Sequence, residues 1–279
     1  MTERLADVSA RIDGIRQLAA VVNAMQGIAA ARAHTARSQI EAVNSYTATI
    51  AAAMSTALAP DEASGRGGSI GAGHTGLLVF CAEQGFAGAF SERVLDSIGD
   101  ELEKASLFLI GTRGLSIATA RHFAPIWAAP MPSHPPGIPK LADTITKAIY
   151  RSVHEGRINR LDTIYTGWTK GRPQVVRKPL FPVDLSDFPA SATENPLTQL
   201  PLNTLIAGLS ADYFHALVCK AALHALGAEN EARAEAMSAA SSQIARDLDL
   251  LQATLRRVRQ EAITAEIIEL GSATSHGAR

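Results

Sequence analysis

The sequence predicts an α/β fold: a long antiparallel coiled coil of the N- and C-terminal helices plus a Rossmann-like α/β domain with a mostly parallel sheet. Three observations predict it. An apolar heptad runs through residues 3–58. A second helical period occupies residues 202–270. Between them the pattern changes to short continuous apolar runs alternating with helical segments, the order of βαβ units. Two long helices at opposite ends of a chain can pair only if the middle folds aside. The organisation read from this is an N-terminal shaft helix (1–60), a globular head (61–200, opening on a linker, 61–76) and a C-terminal shaft helix (201–279).

The first helix rests on its heptad. Steps of three and four from Leu5 visit Val8, Ile12, Ile15, Ala19, Val22, Gln26, Ala29, Ala33, Ala36, Ile40, Val43, Thr47, Ile50, Met54 and Ala57. Only Gln26 and Thr47 interrupt the apolar series, and a period of about 3.5 held this long argues for a coiled-coil seam. Alanines in its middle let a partner helix come close. Gly14 and Gly27 each cost about 1 kcal/mol relative to Ala, so the helix needs a partner to persist. Pro60 ends it. At about 1.5 Å per residue it is roughly 80 Å long.

Residues 61–76 are Gly-rich and read as linker. Leu77–Cys81 is a continuously apolar run, as in a buried parallel strand. Ser91 is placed to cap a helix from Glu92 to Lys104. Leu107–Ile110 reads as a strand, Leu115–His122 as a helix and Pro125–Trp127 as a short strand. Met131–Pro139 holds four prolines and a glycine and reads as a loop. Leu141–Glu155 is the next helix. Leu161–Trp168 and Val175–Phe181 form a hairpin turned at Gly171-Arg172-Pro173. Residues 183–201 connect to the last helix, whose clearest seam is Ile244, Leu248, Leu251, Leu255, Val258, Ala262 and Ala265. The tail after Gly271 reads as frayed.

Composition excludes several classes. The net charge is −1, so bulk electrostatics favour neither nucleic acid nor an anionic membrane. The longest uncharged run, Ala42–Pro60, contains Asn44, Ser45, Thr47, Thr49, Ser55 and Thr56, and its strongly apolar residues recur at helical spacing, so it reads as a seam rather than a membrane span. Membrane contact is therefore expected only through partners. The charged start, Met1 to Asp7, lacks the apolar stretch of a secretory signal. Cys81 and Cys219 belong to no CxxC pair and read as free thiols of a reducing cytoplasm.

Two features imitate chemistry. Gly71-Ala72-Gly73-His74-Thr75-Gly76 matches GxGxxG, but the dinucleotide fingerprint needs a strand before it and a helix after it, and here the strand follows. The alternative of a nucleotide-cofactor-binding α/β enzyme with a helical dimerisation arm rests on this motif. No GxxxxGK[ST] occurs, so nucleotide hydrolysis by this chain alone is not expected. Asp212, His215 and Cys219, at i, i+3 and i+7, resemble metal ligands, yet a mixed face of a long helix gives the same spacing. No catalytic, cofactor-binding or metal-binding residue is assigned.

The termini and the first strand-turn resemble the gamma subunit of F-type rotary ATP synthases. That family's first helix has an Arg-Ile pair, then Ile-Thr-Lys-Ala-Met, then Val-Ala-Ala-Ser-Lys. This chain has Arg11-Ile12, Val21-Val22-Asn23-Ala24-Met25 and Ile28-Ala29-Ala30-Ala31-Arg32. The family's Asp-Arg-Gly-Leu-Ala/Cys-Gly-x-x-Asn is matched by Glu83-Gln84-Gly85-Phe86-Ala87-Gly88-Ala89-Phe90-Ser91. Glu229, Arg233, Ala236 and Met237 fit Ser-Glu-x-x-x-Arg-x-x-Ala-Met, with Ala228 for the serine. Arg259-Gln260-x-Ala262-Ile263-Thr264-x-Glu266 fits Arg-Gln-x-x-Ile-Thr-x-Glu, the strongest of these matches.

The resemblance implies a central-stalk rotor. Its paired helices would stand inside a hexamer of alpha and beta subunits, and its head would meet the epsilon subunit and the membrane c-ring. This places the chain, as a peripheral protein, on the cytoplasmic face of the inner membrane. Arg259, Gln260, Thr264, Glu266, Met25 and Arg233 would carry contacts to the hexamer. Spacing alone reads the same residues as an ordinary solvated helix face. Departures at Asn23 and Ala31 (Lys and Ser in the family), Glu83 and Ser91 (Asp and Asn), and Leu255-Arg256 (often Tyr-Asn) leave two branches open. One is the housekeeping subunit, the other a divergent accessory branch that includes sodium-type enzymes.

Overall fold

The computed structural model describes residues 2–58, 74–169, 172–184, 188 and 198–276. Pro60, most of the 61–76 linker, Gly171 and most of the 183–201 connection lie outside the described residues. The elements run α1 (Thr2–Ala57), β1 (Thr75–Phe80), α2 (Phe90–Asp96), a 3-10 turn (Gly99–Glu103), β2 (Ser106–Ile110), α3 (Thr112–Ala120) and β3 (Trp127–Ala129). A second 3-10 turn (Pro135–Gly137), α4 (Ile138–His154), β4 (Arg160–Thr169), β5 (Arg172–Phe181) and α5 (Leu202–His276) complete them. The chain divides into two compact units, residues 1–28 with 234–279, and residues 29–233.

In the first unit α1 and α5 run antiparallel. Asn23 Oδ1 accepts a hydrogen bond from Ser241 Oγ at 2.9 Å, and Arg4 lies 3.8 Å from Glu261. Val22, Met237 and Ile244 form the buried centre, with Ile15, Ala19, Met25, Ala240 and Leu248 packed around them. The α1 heptad agrees with burial at each described position. From Leu5 to Ala57 every seam residue is buried or half-buried, in both units. Along α5, Ile244 to Ala265 follow the same rule. Fully burying one such side chain contributes about 1.5–3 kcal/mol, so many weak contacts hold two helices that are not stable singly.

The second unit is built on a five-stranded sheet of order β3-β2-β1-β4-β5. β3, β2, β1 and β4 are parallel, and β5 is antiparallel to β4. β1 and β2 are sheathed on both faces, which is why they read as unbroken apolar runs. Leu77, Val79, Leu107 and Leu109 face α2 and α3 through Val94, Leu95 and Ala118. Leu78, Phe80, Phe108 and Ile110 share the other face with Ile145 and Ile149 of α4 and Phe214 and Val218 of α5. β5 lies at the sheet edge, where Pro173 and Pro179 are tolerated.

Several boundaries differ from expectation, each for a local reason. The helix expected over 92–104 breaks after Asp96, because Gly99 takes φ +58° and restarts the chain as a 3-10 turn. Ser91 is not its cap: it sits inside α2, and its hydroxyl accepts the backbone N–H of Ala82 at 3.1 Å. α4 begins at Ile138, inside the stretch read as loop, because Pro139 falls in the first turn, where its missing N–H costs nothing. β3 lies at Trp127–Ala129, beyond the expected Pro125–Trp127. α5 continues past Gly271 to His276. At the β2–α3 turn the sheet and helix approach closely. Gly111 has φ +108°, and a Cβ on Gly114 would stand 2.1 Å from the Cβ of Cys81.

Candidate functional site

The described part of the chain offers two constellations, one in each unit. In the first, Val258, Ala262 and Ala265 turn toward α1, with Val258 1% exposed. At about 100° per residue, Gln260 and Thr264 then fall on the far side of α5, and Arg259 and Glu266 share a flank. All four are exposed. Thr264 donates its hydroxyl to the Gln260 carbonyl at 2.9 Å, which leaves its lone pairs and the Gln260 amide for a partner. Met25 differs: it is half-buried against the Val22 and Met237 cluster.

Sequence reasoning missed the apolar residues that surround these polar ones. Ile263 and Ile267 are 51% and 63% exposed, and they share the far face with Gln260 and Thr264 at i, i+3, i+4 and i+7 spacing. On α1, Leu18, Val21 and Ile28 are 51%, 56% and 54% exposed, spaced with Met25 as a second stripe beside the seam. The signal was present as large apolar residues off the heptad. On both helices these rows lie off the face that is already paired.

The second constellation fixes the loop after β1. Glu229 and Arg233, one turn apart on α5, form an ion pair whose side chains are only 3% and 6% exposed. Glu229 also accepts the backbone N–H groups of Glu83 and Gln84 at 3.1 and 3.2 Å. Arg233 donates to the carbonyls of Gly85 and Gln84 and to Asn230 Oδ1, at 3.1, 3.2 and 3.0 Å. Burying two charges is costly, and this shell of hydrogen bonds offsets it. Arg233, read as an outward contact, is thus enclosed in its own unit.

Glu83 extends the arrangement. Its carboxylate accepts the Thr112 N–H at 2.9 Å, the Thr112 hydroxyl at 2.7 Å and the Met131 N–H at 2.8 Å. It thereby serves the N-terminus of α3 from a distant loop. The loop so held presents Phe86, 68% exposed with φ +62°.

The features that imitate chemistry resolve differently. Gly71–Gly73 lie outside the described residues, and Thr75 and Gly76 already belong to β1, so the GxGxxG runs into a strand, not a helix. His215 Nε2 lies 3.1 Å from Asp143 and 3.3 Å from the Pro139 carbonyl. No group of three or more His, Cys, Asp or Glu side chains suited to a metal is found among the described residues. Burial raises the thiol pKa of Cys81 to about 12 and of Cys219 to about 11, which leaves neither as a nucleophile. No helix among the described residues is long and apolar enough to cross a membrane.

The paired terminal helices and the sheet between them coincide with a known family. The family model described as ATP synthase matches residues 4–275. An ATP synthase gamma chain of Gluconobacter oxydans is 25% identical over 95% of this chain and 97% of its own length. This chain belongs to the ATP synthase gamma-subunit family. A gamma chain of an Exiguobacterium species is 29% identical over 73% of this chain and 77% of its own. Among solved structures, a chain from the Euglena gracilis mitochondrial ATP synthase (OSCP/F1/c-ring, rotational state 3) aligns with TM-score 0.63 at 13% identity, over 100% of this chain and 96% of that one. A chain from the Tetrahymena thermophila central stalk and c-ring aligns with TM-score 0.61 at 16% identity, over 79% and 99%. The gamma-subunit fold is therefore shared at low identity, consistent with a seam that asks for apolar character and spacing, not particular residues.

Proposed function

We propose that this gamma-subunit family member is the central-stalk rotor of an F-type ATP synthase and couples ion flow through a membrane c-ring to nucleotide-state changes in a catalytic hexamer. Family membership along residues 4–275 carries this reading. The exposed stripe of Leu18, Val21 and Ile28 and the far face of α5 supply surfaces for the hexamer. By itself the chain is non-catalytic. Its partners are the alpha and beta subunits around the helix pair, and the epsilon subunit and c-ring at the head. Through them it is a peripheral protein on the cytoplasmic face of the inner membrane.

The mechanism is differential contact. A helix pair has no threefold symmetry, so inside a ring of three catalytic subunits it presses each one differently. An interaction stronger with one state of a subunit shifts that subunit's equilibrium by the difference. Turning the pair moves the bias to the next subunit. Gln260 and Thr264 would supply polar contacts on one face, Arg259 and Glu266 on the flank, and Met25 an apolar edge. Arg233 contributes from inside by holding the β1–α2 loop.

The test is the double change Gln260→Ala, Thr264→Ala. Both residues are exposed, so the helical content of the isolated chain should stay the same. Torque and coupling of the assembled ATPase should fall. Identical torque and coupling in parent and variant would remove these residues from the contact.

A further inference from the structure

A cavity of about 650 Å³ lies in the 29–233 unit between the β4–β5 hairpin and α5, with Thr47 of α1 on its wall. Register and helical spacing bring its polar groups together. Thr163 pairs directly with Lys178 across the hairpin, so their side chains share one face. Tyr213, Leu217 and Lys220 line the opposite wall from one stripe of α5.

Three observations give the cavity a chemistry. Thr163 is only 3% exposed, and its Oγ1 has no hydrogen-bond partner among the described residues. A buried hydroxyl left this way costs about 1–3 kcal/mol, so it points to a ligand atom. Lys220 lies within the field of Lys178: burial, then the charge of Lys178, lowers the pKa of Lys220. Burial, then Lys220, then Lys178, lowers that of His224, stacked on Tyr165, to about 4. Neither ammonium has a salt-bridge partner among the described residues. Asp184, the carboxylate in the lining, is itself partnered.

We propose that this cavity binds a small organic phosphate bearing a planar ring, its phosphate between Lys178 and Lys220 against the Thr163 hydroxyl, its ring beside Tyr165, Phe181 and Tyr213. A dianion removes the repulsion between the two ammoniums and supplies the acceptor that Thr163 lacks. Two lysines are mobile point charges, which suit a tetrahedral phosphate, whereas a planar carboxylate favours the fork of an arginine. The volume falls within the roughly 300–1,000 Å³ of small-molecule sites.

Calorimetry on the full chain tests this with AMP, adenosine and inorganic phosphate as probes. AMP should bind saturably at one site per chain, with adenosine and phosphate each at least about tenfold weaker. Lys178→Ala, at an exposed position, should weaken AMP about tenfold without altering the circular dichroism. Thr163→Val, which keeps the shape, should also weaken it several-fold. The proposal is overturned if the parent chain shows no saturable AMP binding, or if adenosine binds as well as AMP. It is also overturned if a folded Lys178→Ala, Lys220→Met double variant binds AMP unchanged. The assay contains no hexamer, so its failure leaves the rotor reading untouched.

Discussion

Replacing Arg233 by methionine should destabilise the 29–233 unit by about 3–5 kcal/mol, because it strands Glu229 as a buried unpaired charge. The magnitude follows from the surroundings. Arg233 satisfies Glu229, Asn230 and two loop carbonyls at once, and both charged side chains are nearly sealed from water, at 6% and 3% exposure. Arg37 and Glu231 provide the control: they pair at 2.9 Å but are 53% and 29% exposed, so with the stacking of Arg37 over Trp168 at 5.7 Å included, Arg37→Met should cost about 1–2 kcal/mol. Both tryptophans, Trp127 and Trp168, lie in this unit, so urea unfolding followed by their fluorescence reports it selectively. Adding Glu229→Gln to Arg233→Met should recover part of the loss, because the stranded group is then neutral. An Arg233→Met cost no larger than that of Arg37→Met would refute the argument that this pair anchors the β1–α2 loop.

Three further outcomes are expected. Gly114→Ala should cost about 1–3 kcal/mol by overpacking, since its Cβ would meet that of Cys81 at 2.1 Å, and thermal unfolding would show it as a lowered midpoint. Iodoacetamide at mildly alkaline pH should leave Cys81 and Cys219 unmodified in the native chain and label both in denaturant, because burial holds the thiols at about 12 and about 11. His224 should impose an acid-side loss of stability. Its folded pKa, lowered to about 4 by burial and by Lys220 and Lys178, lies below its ordinary 6.5, so the unfolded chain binds the extra proton first. Stability is full above about 6.5 and falls as pH drops toward 4. His224→Gln should flatten that part of the urea-midpoint profile against pH.

The long helices were legible because their signal is periodic and repeated. Leu5 to Ala57 and Ile244 to Ala265 are sheltered at each step of the expected seam. The central strands were legible because helices cover both faces, making Leu77–Cys81 and Leu107–Ile110 continuous. Boundaries failed where a single residue decides: Gly99 with its positive φ, or Pro139 in a first helical turn. Arg233 was recognised from its motif but not its setting, because its loop partners stand 148 and 149 residues away in the chain. The roles of Glu83 and of the Thr163 hydroxyl were invisible for the same reason, since they depend on long-range contacts. The exposed Leu18, Val21, Ile263 and Ile267 could have been found by asking which large apolar residues the heptad leaves out.

The rotor assignment is tested most directly by watching the chain turn. Cys81 and Cys219 are buried, so a cysteine at exposed Glu103 can carry a bead selectively. With the chain assembled into an immobilised, ATP-hydrolysing hexamer of alpha and beta subunits, the bead should rotate in one direction, pausing three times per turn. A bead that only fluctuates about one angle while the same complexes hydrolyse ATP would contradict the account.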